Sequence, residues 1–502
     1  LTIILYIILH LIQNRIGHSL SEGETKYLSG RKLSVQKWLV KNNIPCSLSE
    51  VPNIAILGSG GGQRAMVGML GSLSQMGEQG LLDAALYMSG VSGSTWCMAS
   101  LYEKANWSSD KEQIKVVVER LGHGSVSLME RFAQLNKYFQ TNDNFSLTDV
   151  WAALVMPEIV MKIDESTLSN YQTCHDKDPY PIFTVTNQDC KYECLLQTFF
   201  ELTPHEAGYT LAGAFVETSN FGSIFNKGFL TKRKPEMDMT YLQGLCGSAL
   251  ADKEVILEKF KEYVGGMPKY ITHRITIANM LFVTINQYLL TFVVFRLGIH
   301  EAIWPFIVEN ILKFVEGWLK FWIWGTNYNY LYSVNAPHID QRLLKREITH
   351  LEDAGLLVNS PYMSALRAER EIDLIISFDF SEGDPMEVRT KHCNELGISF
   401  PAIDCTKSDN NSPKGFYVFK GVKEAPTVIH IPLFNVENCG SELDAYIQKY
   451  TTFQGAYSPE MIEDLMKKAG ENVLNHKEHL MEEIKAIVQQ KSGTMPSSCL
   501  IA

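Results

Sequence analysis

A serine set among glycines, Gly90-Val91-Ser92-Gly93-Ser94, follows the apolar run Leu86–Met88 and precedes a helical pattern. Glycines two before and one after permit the sharp strand-to-helix turn that exposes a serine hydroxyl as a nucleophile. The fifth position is Ser94, so the strict G-x-S-x-G pattern fails, and a serine capping a helix start reads the same way locally. Upstream, "LGSGGGQRAMVGML" (57–70) packs Gly58, Gly60, Gly61 and Gly62 into five positions between an apolar run at 53–57 and a helical pattern of Met66, Met69, Leu70, Leu73 and Met76. Strand, glycine turn and helix aim backbone N–H groups and a helix N-terminus at an anion. A dinucleotide fingerprint requires glycine where Gln63 stands, and a phosphate loop requires a lysine that is absent. An oxyanion hole, with donors held around an oxygen that becomes negative in a transition state, fits what is left. A merely tight turn explains two glycines better than four. Both strand–turn–helix units can lie on neighbouring parallel strands and face one site at the carboxyl ends of the sheet.

A serine nucleophile needs a base. None of the 13 histidines sits in a local motif that singles it out. In "LEDAGLLVNSPY" (351–362), Asp353 precedes Ala-Gly. A carboxylate held close and partly desolvated can take the proton itself. By itself, Asp-Ala-Gly also reads as an ordinary turn.

"GSGGGQRAM", "GVSGSTW" and "DAGLLVN", in this order, resemble the three signature blocks of the cytosolic (group IV) phospholipase A2 family, whose catalytic core is patatin-like. The resemblance continues through "LTPHEAGY" (202–209), "WGTNYNYLY" (324–332), "LIISFDFSEGDP" (374–385) and "IHIPLFN" (429–435), and is greatest to the gamma-type branch. It implies Ser92 as nucleophile and Asp353 as general base in a dyad without histidine. It places the oxyanion donors on the backbone of Gly61 and Gly62. It also assigns Arg64, after the glycine loop, and Arg370, seventeen residues beyond the base, to the substrate phosphate. The implied activity is calcium-independent hydrolysis of glycerophospholipid acyl esters, without cofactor or metal, with lysophospholipase and transacylase side activities. The alternative is a catalytically silent lipid-binding or scaffold protein on the same fold. Intact Ser92, Asp353, Gly61, Gly62 and Arg64 weigh against it.

The elements that must position these residues form an α/β fold. We expect one large domain at 45–490, a central mixed sheet flanked by helices, with a lead-in at 1–44, an inserted cap at about 253–325 and a tail at 491–502. Continuous apolar runs such as "NIAIL" suit strands buried on both faces. The pattern at 458–490 suits closing helices, with Pro459 at a helix start. Net charge is −11 and no long basic run occurs, which disfavours nucleic acid as a partner. Ten irregularly spaced cysteines suit a reduced compartment, and Cys190 and Cys194 lack a second ligand pair for zinc.

Membrane contact has several candidate sources. "LTIILYIILHLIQ" (1–13) is apolar but too short to span, so a clipped signal or anchor and an amphipathic lead-in both stay open. Residues 275–295 carry no charge, yet Asn279, Asn286 and Gln287 argue against a span and for a core-packed or interfacial helix. Four of the eight tryptophans fall at 304–324, as in an amphipathic core helix or a membrane-facing lid. The terminal "CLIA" matches a prenylation box on Cys499, with Ala favouring farnesyl and implying a prenyl transferase as partner. The expected location is cytoplasmic, lipid-anchored at the periphery of membranes that carry phospholipid and lysophospholipid substrates.

Overall fold

The computed structural model describes residues 13–110, 112–172, 177–190, 195–251, 325–382, 390–403, 412–452 and 456–493. The expectations for residues 1–12, the cap with its 275–295 stretch and tryptophans, Cys194 and Cys499 lie outside the described residues.

Fourteen strands are described: β1 (Arg15–Ile16), β2 (Ile54–Gly58), β3 (Tyr87–Gly90), β4 (Tyr180–Asn187), β5 (Phe199–Leu202), β6 (Glu206–Tyr209), β7 (Ala214–Glu217), β8 (Ile224–Asn226), β9 (Phe229–Lys232), β10 (Thr326–Tyr328), β11 (Ile348–Asp353), β12 (Leu374–Asp379), β13 (Tyr417–Phe419) and β14 (Thr427–Pro432). Twelve of them make one mixed sheet in the order β1-β7-β6-β5-β4-β3-β2-β12-β14-β13, with β11 and β10 joined to β4 off this path. Its centre, β4-β3-β2-β12-β14, is parallel, and the flanks are antiparallel. Ile54, Ala55, Ile56 and Leu57 are all fully buried, as a strand covered on both faces requires. Burying each such Ile or Leu side chain contributes about 1.5–3 kcal/mol.

Six helices matter for the site: α1 (Glu22–Lys41), α2 (Gly62–Glu78), α3 (Gly93–Tyr102), α4 (Met239–Cys246), α5 (Pro459–Asn475) and α6 (Lys477–Lys491). The Ser458 hydroxyl caps α5 by accepting from Met461 N–H, and Pro459 occupies its first turn, where a missing N–H costs nothing. Helix α5 lies so close on α2 that a Cβ on Gly71 would stand 2.4 Å from the Met466 carbonyl oxygen. The closing helices thus brace the helix that follows the glycine loop.

The expected boundary at residue 44 does not separate a distinct lead-in. Strand β1 pairs with β7, and α1 buries Val35 and Leu39 completely in the common core. Its Tyr27 hydroxyl donates to the Asp178 carbonyl at 2.8 Å, next to the start of β4.

Candidate active site

Register brings Ser92 and Asp353 together. Strand β3 runs parallel to β4 and ends with Gly90 opposite Phe183. Strand β11 then takes the same edge of β4 antiparallel, with Asp353 opposite Val185. The chain leaves β3 for Ser92 where β11 delivers Asp353. The sheet, not sequence proximity, closes the gap of 261 residues.

Ser92 occupies the N-cap position of α3 with φ 50° and ψ −122°, a strained conformation for a residue with a Cβ. Its side chain makes no capping hydrogen bond. Its hydroxyl lies close enough to the Asp353 carboxylate to lower that group's pKa. Asp353 is fully buried. One carboxylate oxygen accepts from Gly355 N–H at 2.8 Å and the other from Ala249 N–H at 3.1 Å, just beyond α4. The Asp353 N–H donates to the Ser248 hydroxyl at 3.0 Å. Burial pushes the carboxyl up to about 7; the Gly355 amide, the Ser92 hydroxyl and the Ala249 amide oppose that rise. The result is a carboxyl that titrates near neutrality.

Among the described residues, no histidine hydrogen-bonds to either side chain. The nitrogen Nδ1 of His350 lies 3.3 Å from Asp189, His205 meets the Tyr180 hydroxyl at 2.9 Å, and His430 lies 3.9 Å from Asp379. No group of three or more His, Cys, Asp or Glu among the described residues is placed to hold a metal ion.

The glycine loop passes directly over the serine. A Cβ on Gly60 would stand 3.0 Å from Ser92 Cβ, and one on Gly93 would stand 1.8 Å from the Gly62 carbonyl oxygen. Gly61 and Gly62 both have positive φ, 153° and 59°. They open α2, and no described acceptor takes either N–H, so the two amides and the helix dipole remain available for an anion. Side chains fix the loop from beneath. The Ser59 hydroxyl donates to Asp379 at 3.0 Å and accepts from Phe380 N–H at 2.7 Å, while the Ser94 hydroxyl donates to the Ser59 carbonyl at 2.6 Å.

The two arginines sit differently from the expectation that they meet a lipid phosphate. Arg64 is 2% exposed. It donates to the Phe380 carbonyl at 2.7 Å, the Tyr450 carbonyl at 2.7 Å and the Thr452 hydroxyl at 3.0 Å, with Glu382 3.6 Å away. It therefore ties the first turn of α2 to the end of β12. Arg370 is 1% exposed, and all three guanidinium nitrogens are engaged by Glu24, Glu201 and the Ser364 carbonyl. Burial works against its charge, but Glu201 and Glu24 outweigh that and hold its pKa above the ordinary range. This buried network joins α1, β5 and the segment after the base. It leaves Arg370 no donor direction for a substrate. The sequence resemblance could not reveal this, because Glu24 and Glu201 lie far from Arg370 in the chain.

Sequence reasoning also missed Asn359, whose Nδ2 donates to the Gly60 carbonyl at 3.1 Å, and the Ser248–Ala249 segment behind Asp353. Asn359 was visible inside "DAGLLVN"; Ser248 and Ala249 carry no sequence signal.

Residues 54–275 match the family model of the lysophospholipase catalytic domain. The chain is 34% identical over 528 residues to human cytosolic phospholipase A2 gamma, covering 93% of this chain and 94% of that one. It is 32% identical over 554 residues to the mouse gamma protein, covering 93% and 91%. Among solved structures it is similar to human GIVD cytosolic phospholipase A2, with a TM-score of 0.74 and 23% identity over 95% of this chain and 68% of that one.

Proposed function

The chain belongs to the cytosolic phospholipase A2 family of phospholipid-hydrolysing serine hydrolases, and on that premise we propose that Ser92 and Asp353 act as a two-residue catalytic unit. Ser92 Oγ attacks the ester carbonyl carbon while its proton passes to the Asp353 carboxylate. The carbonyl oxygen becomes an oxyanion and accepts from the Gly61 and Gly62 amides. The tetrahedral intermediate collapses, the lysophospholipid oxygen leaves with the proton from Asp353, and an acyl ester remains on Ser92. Water then attacks this ester and gives a proton back to Asp353. Fatty acid leaves and the hydroxyl is restored. A lysophospholipid as substrate follows the same course, and a lipid hydroxyl in place of water gives transacylation.

The observation that carries this reading is the register that brings Ser92 to the fully buried Asp353, beside two glycine amides that no described acceptor takes, with the carboxyl held at about 7. Burial supplies the basicity that a histidine supplies in a triad. Every proton transfer is completed by these groups, so hydrolysis proceeds with calcium chelated. Attachment to membranes is peripheral, through a farnesyl group on Cys499 and apolar surface, since one lipid chain alone binds only reversibly.

The test is incubation of purified protein with mixed phospholipids and lysophospholipids, with and without chelator, followed by mass spectrometry of the lipids. Free fatty acid and some newly acylated lipid should form equally in both samples. Release that requires calcium, or intact substrate throughout, refutes the proposal.

A further inference from the structure

The segment that delivers the base also carries Asn359, which the catalytic steps leave unused. Gly60 N–H donates to the Asn359 carbonyl at 2.8 Å, and Asn359 Nδ2 donates back to the Gly60 carbonyl at 3.1 Å. The two bonds close a reciprocal clamp between residues 299 positions apart. A Cβ on Gly60 would lie 2.4 Å from Asn359 Oδ1 and 3.0 Å from Ser92 Cβ, so clamp, glycine and nucleophile are in direct succession. A Cβ on Gly355 would lie 3.1 Å from both Asn359 Oδ1 and Asp353 Oδ1. The asparagine amide therefore sits between the turn of the base and the loop of the oxyanion donors.

We propose that Asn359 is a positioning residue that registers the Gly61 and Gly62 amides against Ser92 by clamping Gly60; this rests on reading Ser92 and Asp353 as the dyad. The anchors already described hold the loop on either side of this glycine, through Ser59 before it and Arg64 after it. Asn359 holds the middle, one residue before the first oxyanion amide. Its side chain suits the place because it is neutral and still donates. A carboxylate there would face the Gly60 carbonyl and set a second negative charge beside Asp353. An aliphatic side chain would leave that carbonyl without its partner. Oxyanion donors act only when they stand at the position the oxygen takes in the transition state, so a small drift of the loop affects the chemical step and spares ground-state binding.

The experiment combines steady-state kinetics with two lipid inhibitors. A trifluoromethyl ketone adds to the serine as a tetrahedral oxyanion; a diether phospholipid has no carbonyl and reports ground-state binding. Asn359→Ala should lower kcat about 100-fold, leave KM within about twofold, and weaken the ketone by a factor similar to the loss in kcat. The diether lipid should bind as before. Asn359→Asp, nearly the same size, should show the same pattern with a larger loss, and carries the test if the alanine variant does not fold. Equal weakening of both inhibitors, or kcat within about threefold of the parent, overturns the inference. Ser92→Ala, assayed alongside, separates the two layers. If it is inactive while both Asn359 variants work normally, only the clamp is refuted. If it still releases fatty acid, the dyad and the clamp fall together.

Discussion

Replacing Asp353 by Asn should abolish acyl release and also change how stability depends on pH. The folded-state pKa of Asp353 is raised from 3.8 to about 7 by burial. A raised carboxyl contributes stability that is fully present below its unfolded pKa and is lost as pH rises through the folded pKa. At 1.36 kcal/mol per pH unit, the parent should lose about 3 kcal/mol between pH 5 and pH 8 from this group alone. Asn cannot ionise and escapes that loss. It has one carbonyl oxygen, however, and Asp353 now accepts from both Gly355 and Ala249. One buried N–H is left without its acceptor, a cost of about 1–3 kcal/mol at every pH. Asp353→Asn should then be the less stable protein at pH 5 and equal or exceed the parent at pH 8. Urea unfolding midpoints of both proteins across this range, with acyl release measured in parallel, provide the assay. Parent activity should climb with ionisation of the base and reach half its plateau near pH 7, while the variant should be slower by several orders of magnitude. Parallel stability curves, or parent activity flat from pH 5.5 to 8.5, would refute the assignment of Asp353 as a buried base.

Arg64→Ala should lose activity to the same extent on a phospholipid and on a small neutral ester, because the side chain anchors α2 to Phe380 and Tyr450. It should also destabilise the protein by about 2–4 kcal/mol, and a loss confined to the phospholipid would restore the phosphate-binding role. Arg370→Met should lower the thermal midpoint through the uncompensated charges of Glu24 and Glu201; if the fold is unchanged and only phospholipid turnover falls, the structural role is wrong. Cys499→Ser should move the protein toward the soluble fraction of expressing cells while leaving activity on detergent-dispersed lipid intact, and full retention on membranes would refute the lipid anchor.

The local part of the site was legible because its chemistry is local. Apolar runs announced β2 and β3, glycines marked the two turns, and the 3.6-residue pattern placed α2, because backbone geometry restricts which residues can occupy those points. Asp353 stood out as a candidate base by residue type, but the resemblance was needed to single it out from an ordinary turn and pair it with Ser92. The physical cause of that pairing is a register: β11 lies antiparallel against the end of β4, beyond β3. No periodicity within either segment encodes that. The arginines show the opposite limit. Their charge suggested a phosphate, but Arg370 is neutralised by Glu24 from α1 and Glu201 from β5, partners 346 and 169 residues away. The integration of residues 15–41 into the common core was hidden likewise, because β1 is two residues long and its partner β7 lies far along the chain. Tertiary contacts of this kind decide what a charged side chain does.

The central claim is that the acyl group passes through Ser92. Rapid quenching of a phospholipid turnover in acid, followed by proteolysis and mass spectrometry, tests it directly. The account predicts an acyl ester on the peptide carrying Ser92, and none on any peptide of Ser92→Ala, which should be inactive. An acyl adduct on another residue, or fatty-acid release by Ser92→Ala at the parent rate, would contradict it.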